Sequence, residues 1–369
     1  MRTIICRLVL GVTLTFFCLL SVTEVGGRVL LWKKYGGAAW RSVALFEDDP
    51  EVGYRHRPNS YSFTVRINSL GFRGKEIAAA KLPNVFRIVA IGSSTTFGSS
   101  NREDDTYPVR LETRLNSHDP PARYEVINAG VSGYYSYQQV LRVKRELRGL
   151  QPGMVILFEG WNDFWHAARL GEKWRPNIID QDMGRSFTSF FYNSSVSYRT
   201  MLLLQRKLLR ALKDAPDSRV TAWYQAAAEN HAVYDNYQNN MEEIVRLFLE
   251  RDIKVLLIKF PCLLRKSIDR QEQSAVKLIE PFWEEYLPFV KAHERLLQRI
   301  DTVAQKYSIQ TVDIEQAFNE LQGPDRAQLF TDAIHFTAKG NDLIAQKICE
   351  QIVGILEYCT LGQSLSHPG

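Results

Sequence analysis

The chain opens on a nearly unbroken apolar run. Ile4 to Val22 reads IICRLVLGVTLTFFCLLSV, interrupted by Arg7 and two threonines and without charge from Leu8 onward. A membrane-spanning helix needs about 20 apolar residues. This run reaches that length because Arg7 can extend its charged head to the interface. Arg2 and Arg7 precede it, which predicts a cytoplasmic N-terminus. A cleaved signal peptide would share these features. However, Ser21-Val22-Thr23-Glu24-Val25-Gly26 is a poor small-x-small match, and Phe17 is too bulky to precede a lipoprotein cysteine at Cys18. Residues 1–27 are therefore read as an uncleaved signal anchor, with secretion after cleavage as the alternative. Arg28, Lys33 and Lys34 weaken the charge asymmetry a little. Since no second run of about 20 apolar residues follows, the rest is expected to be soluble and to face the periplasm or the cell exterior.

After the run the pattern shortens. Residues 28–84 read as a connecting region in which Tyr61 to Ile67 alternates like a half-buried strand. Asn68-Ser69-Leu70-Gly71-Phe72-Arg73-Gly74 follows as a glycine-marked turn. A continuous apolar run at Phe86–Gly92 then reads as a central strand, and further strands are expected at Tyr124–Asn128, Met154–Phe158, Lys254–Phe260 and Gln310–Asp313. Helical patterns fall between and after them at Thr106–Asn116, Tyr137–Leu150, Met241–Arg251, Lys291–Tyr307 and Ala338–Leu356. Strands buried on both faces and alternating with helices predict a parallel sheet covered on both sides. The stretch from about 164 to 224 breaks this rhythm and reads as a mainly helical insertion. Residues 357–369 read as a frayed tail.

Composition narrows the classes. The chain has 369 residues, 45% hydrophobic and 24% charged, which is ordinary for a globular protein. The formal net charge of +5 is spread along the chain. No basic stripe interleaves with aromatics, so nucleic-acid binding is not expected. The five cysteines include no C-x-x-C pair, which leaves zinc and thioredoxin-like readings without support. A disulfide among Cys262, Cys349 and Cys359 stays open.

Four short blocks carry candidate chemistry. Ile91-Gly92-Ser93-Ser94-Thr95-Thr96-Phe97-Gly98 places Ser94 just past a strand end, where ligands of open α/β sheets bind. Val126-Ile127-Asn128-Ala129-Gly130-Val131-Ser132-Gly133 ends a second strand in small residues whose N–H groups can face an oxyanion. Phe158-Glu159-Gly160-Trp161-Asn162-Asp163 adds a neutral amide donor. Phe330-Thr331-Asp332-Ala333-Ile334-His335-Phe336-Thr337 spaces an acid three residues before a histidine it can orient. Taken singly, each block also reads as a turn or a helix cap. His56, His118, His231, His293 and His367 read as surface or core residues, and His166 follows the third block closely enough to remain open.

In this order the four blocks resemble the SGNH (GDSL-type) serine hydrolase superfamily, from about Phe86 to Ile355 apart from the insertion. The resemblance implies a flavodoxin-like three-layer α/β/α fold over residues 85–356. It implies Ser94 as nucleophile, His335 as general base and Asp332 as its orienting acid. The Ser94 N–H, the Gly133 N–H and the Asn162 side chain would form the oxyanion hole. Gly130 is a rival for the second-block position, but Ser132-Gly133 fits the family spacing better. One departure is Ser93, which stands where the family carries aspartate. No metal or cofactor is implied.

Such a protein is expected to be a serine esterase acting on an acyl-ester small molecule or an acylated glycan, such as an O-acetylated envelope or exported polysaccharide. Acyl transfer to a glycan hydroxyl uses the same residues, and a non-catalytic envelope scaffold retaining the fold is the third reading. Tyr134, Trp161, Phe164 and Trp165 flank the blocks and are expected to contact substrate. Oligomeric state is not legible.

Overall fold

The computed structural model describes residues 2–37, 44–117, 122–180, 201, 218–266, 270–279 and 287–364. The chain divides into two compact units, residues 1–71 with 180–214, and residues 72–179 with 215–369.

In the first unit, α1 (Arg2–Tyr35) is a single helix of 34 residues. It continues past Arg28, so residues 28–35 are helical rather than part of a connecting region. Leu10–Tyr35 is long and apolar enough to cross a membrane. At 1.5 Å per residue these 26 residues extend about 39 Å. The hydroxyl of Thr15 donates to the Gly11 carbonyl at 2.9 Å and that of Thr23 to the Leu19 carbonyl at 2.8 Å. Each hydroxyl is thus satisfied within the helix, as an apolar surrounding demands. Glu24 and Arg28 pair one turn apart at 2.8 Å.

Two small hairpins follow in this unit. β1 (Phe46–Asp49) pairs antiparallel with β2 (Gly53–His56). The Asp49 carboxylate accepts from the Glu51 and Val52 N–H groups and so closes the turn. The single strand expected over Tyr61–Ile67 is instead a second hairpin, β3 (Ser60–Tyr61) with β4 (Arg66–Ile67). Ser62 N–H donates to the Val65 carbonyl and folds the alternating segment back on itself.

The second unit is the predicted parallel sheet. β5 (Val85–Gly92), β6 (Arg123–Asn128), β7 (Met154–Phe158), β8 (Lys254–Lys259) and β9 (Gln310–Asp313) lie in the order β6-β5-β7-β8-β9. All four pairings are parallel. This is the flavodoxin-like order, and its direction reverses between β5 and β7. Met154, Val155, Ile156, Leu157 and Phe158 are all buried, because helices cover both faces.

The helices are α2 (Ser94–Phe97), α3 (Tyr107–Leu115), α4 (Ser136–Arg145), α5 (Trp161–Leu170), α6 (Ser218–Glu229), α7 (His231–Leu249), α8 (Arg270–Ile279), α9 (Leu287–Tyr307), α10 (Ile314–Asn319), α11 (Gly323–Ala327) and α12 (Ala338–Ser364). α3 packs on α12, while α4, α7 and α9 pack in a row with α5 and α6 alongside. α7 starts ten residues before the expected Met241, capped by the Asn230 side chain on the Ala232 N–H. The helix expected to run to Leu150 stops at Arg145 and passes into a 3₁₀ turn at Leu147–Leu150. α12 continues to Ser364 through residues read as a frayed tail. Much of the expected insertion lies outside the described residues. Its first part, including Phe164, Ala167 and Ala168, belongs to the core of the sheet unit.

Candidate active site

The reversal of strand order opens the sheet at the carboxyl ends of β5 and β7, which the first and third blocks follow, while the second block follows the neighbouring β6. β5 ends in Gly92, and a Cβ on that residue would lie 2.2 Å from Thr96 Oγ1 and 2.4 Å from the Phe158 carbonyl. Only glycine lets the chain turn this sharply into α2. Ser94 is the first residue of that short helix, and Gly98 ends it in the left-handed conformation (φ 82°). The Ser94 N–H, in a first helical turn, has no intrahelical acceptor.

The fourth block is a narrow hairpin. Thr331 N–H donates to the His335 carbonyl at 2.8 Å, and Thr337 N–H to the Leu329 carbonyl at 2.8 Å. Phe330 and Phe336 are buried at its base, 5.6 Å apart, with Asp332 and His335 toward the tip. The Ala333 carbonyl accepts from the Leu263 N–H at 2.9 Å, which ties the tip to the segment following β8.

This hairpin meets the end of β5. His335 Nε2 lies 2.7 Å from Ser94 Oγ. His335 Nδ1 lies 2.9 and 2.8 Å from the two Asp332 carboxylate oxygens. The same carboxylate accepts from the Ile334 and His335 N–H groups at 3.0 and 2.9 Å. Burial alone would raise the Asp332 carboxyl. The hydrogen bond and charge of His335 with those backbone donors outweigh it and hold Asp332 at about 2. Asp332 therefore stays ionised beside the imidazole.

The second and third blocks adjoin each other. Asn162 Nδ2 donates to the Tyr134 carbonyl at 2.6 Å, next to Gly133 (φ 86°). That bond uses one amide hydrogen and fixes the direction of the other. Gly130 is not an equivalent candidate, since its N–H already donates to Asn128 Oδ1 at 3.1 Å. Its lack of a side chain serves packing: a Cβ there would lie 2.2 Å from the Phe97 nitrogen.

The aromatic expectations need correcting. Tyr134 and Phe164 are 0% exposed and Trp161 is 4% exposed. Trp161 stacks on His293, with centroids 5.2 Å apart, and Phe164 packs on Tyr224 and Phe289. These side chains fill the core beneath the site and do not present a face to substrate. Trp165, on the next helical position, is exposed with Arg169 beside its ring.

Ser93, where the resemblance led aspartate to be expected, has a carboxyl beside it. Ser93 is buried and hydrogen-bonds the side chain of Glu159, at the end of β7. Glu159 also accepts from Gln139 Nε2 at 3.0 Å and from the Gly160 N–H at 3.2 Å. Burial, together with the charge of Asp163, pushes Glu159 well above the usual carboxyl range. Asp163 is pushed up to about 7 by burial, although Ser136 hydrogen-bonds it through both hydroxyl and N–H. Ser136 begins α4, so Asp163 caps a helix other than its own.

The remaining histidines separate by environment. His166 is buried, stacks on Tyr135 at 4.3 Å, and is lowered to about 4 by burial and the charge of Arg169. His293 is lowered by burial and lies 2.6 Å from the Phe260 carbonyl. His231 is exposed and His56 buried, while His118 and His367 lie outside the described residues. Cys262 and Cys349 are free thiols, and burial raises both. Among the described residues, no group of three or more His, Cys, Asp or Glu side chains could hold a metal ion.

Fold and strand order are those of the SGNH hydrolases. Residues 90–343 match the GDSL-like Lipase/Acylhydrolase family, and the chain belongs to it. It is a hydrolase acting on esters. Among solved structures it is similar to an acetyl xylan esterase at 17% identity and a TM-score of 0.46, covering 72% of this chain and 100% of that one. A lipase/acylhydrolase from Enterococcus faecalis is 16% identical with a TM-score of 0.42, covering 73% and 96%. A mutant acetyl-xylooligosaccharide esterase from Geobacillus is 15% identical with a TM-score of 0.43, covering 72% and 94%. No curated protein sequence matches the chain.

Proposed function

We propose that the protein is a serine esterase in which Ser94 is the nucleophile, His335 the general base and Asp332 its orienting acid. The observation that carries this reading is the 2.7 Å approach of His335 Nε2 to Ser94 Oγ, with the opposite ring nitrogen against Asp332. In the first step His335 takes the Ser94 proton as Oγ attacks the ester carbonyl. The Ser94 and Gly133 N–H groups and the Asn162 amide receive the charge that develops on oxygen. Collapse releases the alcohol, protonated by His335, and leaves an acyl-enzyme. Water, deprotonated by the same imidazole, then releases the acid and returns Ser94.

The substrate is an O-acyl ester, with an O-acetylated envelope or exported glycan as the class that best suits an enzyme held outside the membrane. The length and apolarity of Leu10–Tyr35 support an anchor, and Arg2 and Arg7 before it support a cytoplasmic N-terminus. Trp165 is the aromatic available for contact with a sugar or acyl chain.

The test is covalent labelling by a fluorophosphonate, followed by a panel of acetyl and longer acyl esters. Wild type should label and Ser94→Ala should not. Esterase activity that survives Ser94→Ala unchanged would overturn the assignment. With an acetylated donor, release of acetate rather than acetylation of an added glycan is expected, and the reverse would make the enzyme an acyltransferase.

A further inference from the structure

The sequence turn Gly71-Phe72-Arg73-Gly74 lies upstream of the family match at residues 90–343, and the chemistry above makes no use of it. Its arginine is nevertheless 4% exposed. Arg73 Nη1 donates to the Phe97 carbonyl at 2.5 Å and to the Gly98 carbonyl at 2.9 Å. Nη2 donates to the Asn101 carbonyl at 2.8 Å. The guanidinium also sits 4.7 Å from the centre of the Phe97 ring. These are the last residue of α2, its glycine cap and the loop that follows. A helix of four residues has terminal carbonyls with no intrahelical partner, and Arg73 supplies donors to them alongside the Asn101 N–H and Asn128 Nδ2.

The contact does not end at α2. Asn101 is buried, and its Nδ2 donates to the Phe336 carbonyl at 2.9 Å. Phe336 directly follows His335. Arg73 therefore holds the helix that begins with Ser94, and through Asn101 that helix is fastened to the hairpin that carries His335. Asn128 Nδ2 reaches the same Phe97 carbonyl at 3.3 Å, and Asn128 forms an isolated bridge with Arg73. The planar fork of arginine suits this geometry, since it donates in fixed directions that a lysine ammonium does not reproduce.

We infer that Arg73 is a positioning residue that sets the register between Ser94 and His335. The inference rests on the triad reading above. Its consequence is kinetic, because displacing a nucleophile by about 1 Å can cost on the order of 10²-fold in rate.

The experiment uses the full chain in detergent and compares wild type, Arg73→Lys, Arg73→Ala and Asn101→Ala. Readouts are kcat and KM on p-nitrophenyl acetate, the rate of fluorophosphonate labelling at Ser94, and the thermal midpoint. Arg73→Lys is expected to lower kcat and the labelling rate together by about 10²-fold, with KM little changed. Added guanidinium at millimolar levels, below denaturing concentration, should restore part of the rate of Arg73→Ala but none of the loss in Asn101→Ala. If Arg73→Lys does not fold, Asn101→Ala decides through the same fall in kcat at unchanged KM. Full kcat in a folded Arg73→Lys, or a loss that only matches the fall in folded protein and is not rescued by guanidinium, overturns the inference. A labelled wild type with an equally labelled Arg73→Lys removes only the positioning role. A wild type that does not label removes the triad, and the positioning role with it.

Discussion

The two ends of the sheet use the same device for different purposes. Near the start of β5, the fully buried Arg87 pairs with Glu125 at 2.6 Å and donates to the carbonyls of Ala78, Ala79 and Leu150. Beyond the end of β5, Arg73 collects the carbonyls of Phe97, Gly98 and Asn101. Both guanidinium groups donate to buried loop carbonyls. At the first end the loops carry no reactive group, so the consequence is stability. At the second they carry Ser94, the proposed nucleophile, so the consequence there is the geometry of the proposed triad. A buried arginine does not reveal which purpose it serves until the ends of the strands are known.

Mutation can sharpen or break that contrast. The largest effect belongs to Ser94→Ala, which should lower ester hydrolysis by on the order of 10⁶-fold, since triad members act as a unit. Asp332→Asn should follow, with a loss of about 10⁴-fold in kcat at neutral pH, because it holds the imidazole in the wrong tautomer. Asn162→Ala should cost about 10²–10³-fold in kcat if its second amide hydrogen meets the oxyanion. Steady-state kinetics on an acetyl ester measures all three. At the opposite end, Arg87→Met should lose about 3 kcal/mol of stability by urea unfolding. The folded fraction should keep wild-type kcat, and a fall in kcat at full folding would erase the difference between the two ends.

The smallest effect is one of pH. Asp163 is raised from its ordinary 3.8 to about 7 by burial. An acid with a raised folded value adds stability that is fully present below about pH 4. That contribution is lost as pH rises through about 7. Urea midpoints should therefore decline from pH 5 to pH 8, and Asp163→Asn should flatten the decline. A slope unchanged by the substitution would mean that Asp163 is not the group responsible.

Much of the sheet unit was legible because its signals are local. Met154–Phe158 appears as a strand with the expected bounds, since a strand buried on both faces reads as a plain apolar run, and Gln310–Asp313 also keeps its expected bounds although only Val312 in it is buried. That Ser94, His335 and Asp332 come together was expected from blocks that fall at element ends, and the structure brings the three side chains within hydrogen-bond distance. Tyr134, Trp161 and Phe164 misled for the same reason. Proximity in sequence to Gly133 and Asn162 says nothing about which helical face is buried, and only Trp165 points outward. The alternation at Tyr61–Ile67 did not reveal that the chain reverses at Ser62–Val65. Arg73, Asn101 and the Ser93–Glu159 contact were not legible at all. Each joins residues distant in sequence, and neither an arginine beside a glycine nor a glutamate at a strand end carries a pattern that names its partner.

The hairpin bearing Asp332 and His335 has a consequence for how activity is acquired. Asp332 and His335 are three residues apart, whereas His335 and Ser94, the proposed nucleophile, are 241 apart. The Asp332–His335 half is a local cassette closed at its base by Phe330 and Phe336. The nucleophile elbow needs little beyond β5 and its neighbours. Turnover has to await the last long-range docking of one upon the other. The appearance of esterase activity during refolding should therefore lag the recovery of helical signal, which makes catalysis itself the reporter of the final step.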